Sequence, residues 1–135
     1  MRTGGCQCGN LRYEITAEPL DVYACHCREC QKQSASAFGI SVIFPRAEVR
    51  IIKGEPRIWT RPTDSGNTTD CYFCPDCGTR IMHAGTWDRN YTAIKGGSLD
   101  EPPDMTRAKH IWTDRTLAGI AIPPGCETWP GEPDD

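Results

Sequence analysis

The chain has 135 residues, of which 38% are hydrophobic, and a formal net charge of −3. This length is typical of a single domain, and the acidic balance gives no general attraction to nucleic-acid phosphates, so we expect no nucleic-acid partner. The N-terminus lacks an apolar secretory region, and no run approaches the roughly 20 apolar residues of a membrane span. We therefore expect a cytoplasmic protein that does not bind a membrane.

Short segments of alternating polarity predict a mainly β fold. Strands are predicted at 11–16, 40–44, 49–53, 57–61, 79–83, 91–95 and 109–113. The best candidate helix covers 28–35, which contains neither glycine nor proline. We expect one domain over residues 1–122, followed by a tail at 123–135 that is rich in proline, glycine and acidic residues. Such a tail should lie on the surface or fray.

The nine cysteines favour metal binding over disulfides. All but Cys126 occur in three tight groups: Cys6 and Cys8, then Cys25, Cys27 and Cys30, then Cys71, Cys74 and Cys77. Zinc sites bring cysteines in pairs one to four residues apart, whereas disulfide frameworks usually space them more widely. In a reducing compartment these thiols would remain available for metal.

Two of these groups form a matching pair of turns. Cys6–Gly9 reads Cys-x-Cys-Gly, and Cys74–Gly78 reads Cys-x-x-Cys-Gly. Glycine after the last cysteine permits a positive φ and lets backbone N–H groups point at the sulfurs. Each turn offers two ligands, so the sequence predicts a four-thiolate zinc site built from Cys6, Cys8, Cys74 and Cys77. This site would close a loop of about 65 residues.

The stretch CHCREC, residues 25 to 30, supplies three further thiols, and a closed zinc site needs four ligands. In one interpretation Cys71, Cys126 or His26 closes the site, and the protein is a non-enzymatic double-zinc module for a protein or peptide partner. In the other, the fourth position takes water or substrate, as in catalytic zinc sites. In an extended segment His26 would point away from the neighbouring cysteines, which makes it a poor ligand.

The cysteine motifs and their flanks resemble those of the glutathione-dependent formaldehyde-activating enzymes, the family that also includes centromere protein V. The resemblance covers nearly the whole chain and is carried by GGCQCGNLRYE, CHCRECQKQSASAFG, YFCPDCGTRI, KGGSLDEPPD and AKHIW. One departure is Ala35, which stands where the family commonly has glycine.

The resemblance implies a beta-tent fold of several small, strongly curved antiparallel sheets held together by zinc. It also implies two zinc ions per chain. Cys6, Cys8, Cys74 and Cys77 would hold a structural ion, and Cys25, Cys27 and Cys30 a catalytic one. The implied activity is that of a carbon-sulfur lyase that joins formaldehyde to glutathione or reverses that step. Because glutathione carries two carboxylates, cations near the motifs are expected to bind it, with Arg28, Lys32 and Arg80 as first candidates.

Overall fold

The computed structural model describes residues 1–133 of the chain, and these residues form two β-sheets and one α-helix. The strands are β1 (Arg2–Gly5), β2 (Arg12–Ile15), β3 (Asp21–Cys25), β4 (Gly39–Pro45), β5 (Val49–Lys53), β6 (Arg57–Pro62), β7 (Thr68–Phe73), β8 (Arg80–Gly85), β9 (Tyr91–Lys95) and β10 (Lys109–Ile111). The helix α1 covers Arg28–Ser34, and single 3-10 turns cover Arg46–Glu48, Gly96–Ser98 and Thr113–Arg115. None of the helices in this part of the chain is long and apolar enough to cross a membrane.

The smaller sheet has the strand order β1-β2-β5, and the larger sheet has the order β10-β3-β4-β9-β8-β7-β6. Every neighbouring pair is antiparallel except β10 and β3, which are parallel. The predicted mainly β class with antiparallel sheets is confirmed. The prediction missed β1, β3 and β7.

One face of the larger sheet forms the core. Strand pairing aligns a continuous apolar row across it: Val22, Val42, Ile94, Met82 and Tyr72. These side chains pack with residues of the smaller sheet, among them Tyr13 and Ile15, which are fully buried. Cys6 and Cys74 belong to the same buried cluster. The first predicted metal site therefore lies at the margin of the core.

The opposite face of the larger sheet carries several ionisable side chains. Because alternate residues of a strand face opposite sides, Cys25, Lys95 and His83 share the face away from the apolar row. Cys71 pairs with His83 in the register of β7 and β8, so it lies on this face as well.

Helix α1 begins at the second cysteine motif. Cys27 is its N-cap, and its sulfur accepts a hydrogen bond from the Cys30 amide at 3.4 Å. The helix ends at Ala35, which adopts the left-handed conformation with φ of 51°. Gln31 is buried and donates from Nε2 to the carbonyl oxygens of His26 (2.7 Å) and Arg115 (3.0 Å). The helix is thereby fixed to the segment that follows β10.

Part of the C-terminal segment runs along β10. The His110 amide donates to the Glu127 carbonyl at 3.0 Å, and the Trp129 amide donates to the His110 carbonyl at 2.9 Å. The Trp112 amide donates to Gly131 at 3.0 Å. The domain boundary at residue 122 stays a prediction, and the last two residues of the predicted tail, 134 and 135, lie outside the described residues.

Candidate functional site

The first cysteine cluster brings together all four thiols predicted for it. The sulfurs of Cys6, Cys8, Cys74 and Cys77 lie within 4.8 Å of one another. The Sγ atoms of Cys6 and Cys8 are 3.6 Å apart, and those of Cys8 and Cys74 are 3.8 Å apart. A tetrahedral zinc site with Zn–S bonds of about 2.3 Å has edges of about 3.8 Å. The donor set and its spacing therefore fit zinc.

The two turns that carry these thiols use the same local geometry. The Cys6 amide donates to the Leu11 carbonyl, and the Leu11 amide donates back to the Cys6 sulfur at 3.2 Å. In the second turn the Cys74 amide donates to the Thr79 carbonyl at 3.0 Å, and the Asp76 amide donates to the Cys74 sulfur at 3.4 Å. Such N–H donors stabilise thiolates.

The glycines that close the two turns have the positive φ predicted from the motif. Gly9 has φ of 83° and Gly78 has φ of 82°. Next to Gly78, the hydroxyl and then the amide of Thr79 hydrogen-bond to the Cys77 sulfur and lower the pKa of Cys77 to about 5. The thiolate form that zinc requires is favoured at this position.

The second cluster consists of Cys25, Cys27 and Cys30, whose sulfurs also lie within 4.8 Å of one another. Cys25 is the last residue of β3, and the other two come from the cap and first turn of α1. The sulfurs of Cys25 and Cys27 are 3.4 Å apart. Hydrogen bonds from Cys25 and then Cys30 lower the pKa of Cys27 to about 2. Three convergent thiols around a stabilised thiolate also fit zinc.

Within residues 1–133, no further His, Cys, Asp or Glu ligand atom joins this second cluster at the same spacing. Cys71 is buried on β7, and its thiol lies 3.9 Å from the Thr69 carbonyl oxygen. The Cys126 thiol lies 3.4 Å from the Thr106 carbonyl oxygen. Cys71 and Cys126, the two thiols predicted as alternative ligands, therefore lie outside the cluster.

His26 has a packing role. Its side chain is fully buried, its Nε2 atom is 2.9 Å from Nδ1 of His110, and its ring packs against Phe38 with centroids 5.1 Å apart. Burial lowers the pKa of His26, with a smaller contribution from the charge of His110. These contacts fix the position of the residue between Cys25 and Cys27.

A cleft of about 390 Å³ lies between the residues that follow the CHCREC motif and the residues that follow Cys77. One wall is formed by the end of α1 and the turn after it, and another by Gly78, Thr79 and Arg80, which follow the first cluster. Lys95 and the 3-10 turn after it form the floor. Cys30 does not line the cleft but lies close to it. A Cβ atom built on Gly39 would be 2.8 Å from Nε2 of Gln33, which lines the cleft, and 3.2 Å from the Cβ atom of Cys30.

Lys95 is the most unusual residue of the cleft, since only 7% of its surface is exposed. Burial lowers its pKa, and ionisation of the Cys30 and Cys25 thiols would act in the opposite direction. Its Nζ atom is 3.4 Å from Nδ1 of His83. Burial first, and then the charge of Lys95, lower the pKa of His83 to about 3, so this imidazole is neutral.

Lys95 was not among the site residues predicted from the sequence. A signal was present, because it ends the strand YTAIK and is followed by two glycines in one of the stretches that carry the family resemblance. Of the three cations proposed from sequence, only Arg80 lines the cleft. Arg28 donates to the Gln31 side chain, and Lys32 is exposed on α1.

Comparison with protein families matches residues 1–115 to a family described as "Glutathione-dependent formaldehyde-activating enzyme". A Penicillium rubens protein named "Putative glutathione-dependent formaldehyde-activating enzyme" is 31% identical over 79 residues, which cover 57% of this chain and 40% of that protein. The match therefore spans less than half of that relative's length. The crystal structure of a Rhodobacter sphaeroides protein resembles the fold with a TM-score of 0.62 at 20% identity, covering 80% of this chain and 98% of that one.

Proposed function

The chain belongs to the family of glutathione-dependent formaldehyde-activating enzymes, and on this premise we propose that it is a carbon-sulfur lyase. It forms or cleaves a glutathione adduct such as S-hydroxymethylglutathione. One observation carries the proposal: Cys25, Cys27 and Cys30 converge without a fourth protein ligand among the described residues. Their cluster adjoins a cleft that contains a buried cation.

The proposal assigns different roles to the two cysteine clusters. Zinc at Cys6, Cys8, Cys74 and Cys77 would be structural, because four thiolates complete its coordination. Zinc held by Cys25, Cys27 and Cys30 would be catalytic, because three protein ligands would leave the ion able to bind a substrate sulfur. Two zinc ions per chain follow from these assignments.

Zinc held by Cys25, Cys27 and Cys30 would supply a Lewis acid that favours the thiolate form of a bound thiol. In the cleft the thiol sulfur would add to the aldehyde carbon, the C=O double bond would become a C–O single bond, and the proton of the thiol would end on that oxygen. The reverse reaction breaks the same carbon–sulfur bond. The chain supplies proximity in the cleft, together with positive charge from Lys95 where the oxygen becomes negative.

Lys95 has a second role in this proposal. Three thiolates around a divalent ion carry a net charge of about −1. The lysine is buried on the same face of the sheet as Cys25, and the charges of Cys30 and Cys25 act on it. Its ammonium group therefore offsets the charge of the metal site, so that an anionic substrate can approach.

The experiment that tests the function measures zinc content and the zinc X-ray absorption edge with and without glutathione. Two zinc ions per chain are expected, and glutathione should raise the average number of sulfur ligands by about one-half per zinc. Cys71→Ala should give the same spectra, because this thiol lies outside the second cluster. Four sulfurs at both sites before glutathione is added, unchanged afterwards, would refute the proposal.

Catalysis is measured separately by NMR exchange between free formaldehyde and its glutathione adduct. The protein should raise the exchange rate above that of the uncatalysed reaction, and Cys30→Ser should abolish the increase. Cys126→Ser is the matched control, because this thiol lies outside both clusters.

The proposal also includes a compartment and a partner. All nine cysteines are free thiols, which suits a reducing environment, and we propose the cytoplasm. Glutathione is the proposed partner, whereas no nucleic acid or membrane is required.

A further inference from the structure

The cleft beside the second cluster contains more positive charge than the metal site needs. Lys95 and Arg80 both line it, and neither takes part in an ion pair among the described residues. No Asp or Glu occurs among the described residues that line the cleft. Burial without a counter-charge is costly for Lys95. Arg80 is half-buried, and no acidic side chain among the described residues pairs with it, so its charge is available to an anion that enters the cleft.

The two cations have different surroundings. Lys95 is buried and interacts with the charges of Cys30 and Cys25, so the excess negative charge of a zinc-loaded cluster is its counter-charge. His83, the only polar side chain within hydrogen-bond distance of its ammonium group in the described residues, is neutral and offers no negative charge. Once Lys95 is neutralised by the metal site, Arg80 remains without a counter-charge.

Arg80 is held in a position suited to a planar anion. Its guanidinium carbon lies 5.6 Å from the centroid of the Trp59 ring, which supports one face of the group. A guanidinium group held in this way keeps the N–H groups at its edge available for a paired contact with a carboxylate. Thr79, the preceding residue, is fixed by the first cluster through its contact with the Cys77 sulfur.

From this arrangement we infer that Arg80 is a specificity residue that binds a carboxylate of the thiol substrate, while Lys95 offsets the charge of the metal site. The inference rests on the proposed function, because it takes the ligand to be a thiol at the second cluster. It predicts that the protein selects thiols that carry a carboxylate over neutral thiols of similar size.

The test uses zinc-loaded protein and calorimetric binding of two small thiols, 3-mercaptopropionate and 2-mercaptoethanol. Arg80→Gln removes the charge, and Arg57→Gln is the matched control, since Arg57 is exposed on β6 and does not line the cleft. A paired charge-assisted contact corresponds to a roughly 10- to 100-fold change in affinity. Arg80→Gln should therefore weaken 3-mercaptopropionate binding by that factor and leave 2-mercaptoethanol binding within about two-fold. Arg80→Lys should restore part of the affinity.

Four other results would overturn the inference. If Arg80→Gln weakens the binding of both thiols equally, Arg80 supports the fold or the metal site. If Arg80→Gln leaves the binding of both thiols unchanged, or if Arg57→Gln weakens 3-mercaptopropionate binding as much as Arg80→Gln does, Arg80 does not bind the carboxylate. The proposed function still stands after any of these three results. If neither thiol binds the wild-type protein, the proposed function fails together with the inference.

Discussion

Removal of the first cluster should cost the protein a large part of its stability. The variant to make combines Cys8→Ser with Cys77→Ser, because both side chains are exposed and their replacement leaves no cavity in the core. The remaining Cys6 and Cys74 offer only two sulfurs, too few to hold zinc in a structural site. The loss of stability then reports on the metal cross-link rather than on packing.

The size of the effect follows from the loop that the metal closes. Cys8 and Cys74 are 66 positions apart in the sequence. A cross-link that closes a loop of this length lowers the conformational entropy of the unfolded chain, which contributes ~4 kcal/mol to the free energy of unfolding at 25 °C. With a urea slope of about 1.5 kcal/mol per M, the unfolding midpoint should fall by roughly 2 to 3 M.

Urea unfolding of the zinc-loaded proteins, followed by circular dichroism, measures this midpoint, and zinc analysis of each variant confirms that metal is lost. Cys126→Ser should unfold at the same midpoint as the wild type. A double variant that loses one zinc but unfolds within about 0.5 M of the wild type would contradict the entropic cross-link argument. Unchanged zinc content would contradict the assignment of the four ligands.

Two further predictions concern single residues. Ala35 ends α1 in the left-handed conformation that glycine adopts without strain, so Ala35→Gly should raise the free energy of unfolding by about 0.5–1 kcal/mol, measured by urea unfolding, and a lower midpoint would contradict this. Burial, partly opposed by a hydrogen bond with Ser98, raises the pKa of Tyr13 from its ordinary value of 10.0 to about 12. The folded protein therefore holds this proton more tightly than the unfolded chain, and the stabilisation is complete below pH 10 and lost as the pH rises towards 12. Thermal unfolding between pH 9 and 12 should show this loss in the wild type but not in Tyr13→Phe, and parallel curves would contradict it.

Sequence reasoning succeeded where the signal is local. Cysteines two or three positions apart can place their sulfurs close together in a tight turn, as Cys6 and Cys8 do. Spacing together with the following glycine indicated the members of the first cluster, whereas spacing alone would have included Cys71, which lies outside it. The mainly β class followed from alternation in segments such as RYEI, which the structure shows as β2.

The sequence was less informative where tertiary contacts decide the structure. Strand β1 reads RTGG, and glycine has little preference for strands, so this element depends on its pairing with β2. Lys95 is buried because β9 pairs with β4 and because the following 3-10 turn folds back, and neither contact is encoded in the strand itself. The burial of a charged side chain such as Lys95 can be identified only from the folded structure.

The ligands of the two clusters are separated very differently along the chain, and we expect this difference to affect the order of assembly. Residues 25–30 bring three thiols together within six positions, so they can capture metal while the rest of the chain is still disordered. The other cluster needs a contact across 66 positions, which is a slow, late step in folding. Since Gly78, Thr79 and Arg80 follow directly after Cys77, the cleft wall that they form is completed only at that step. If the proposed roles hold, we expect a newly synthesised chain to gain metal affinity at the second cluster before the proposed carboxylate site at Arg80 is complete.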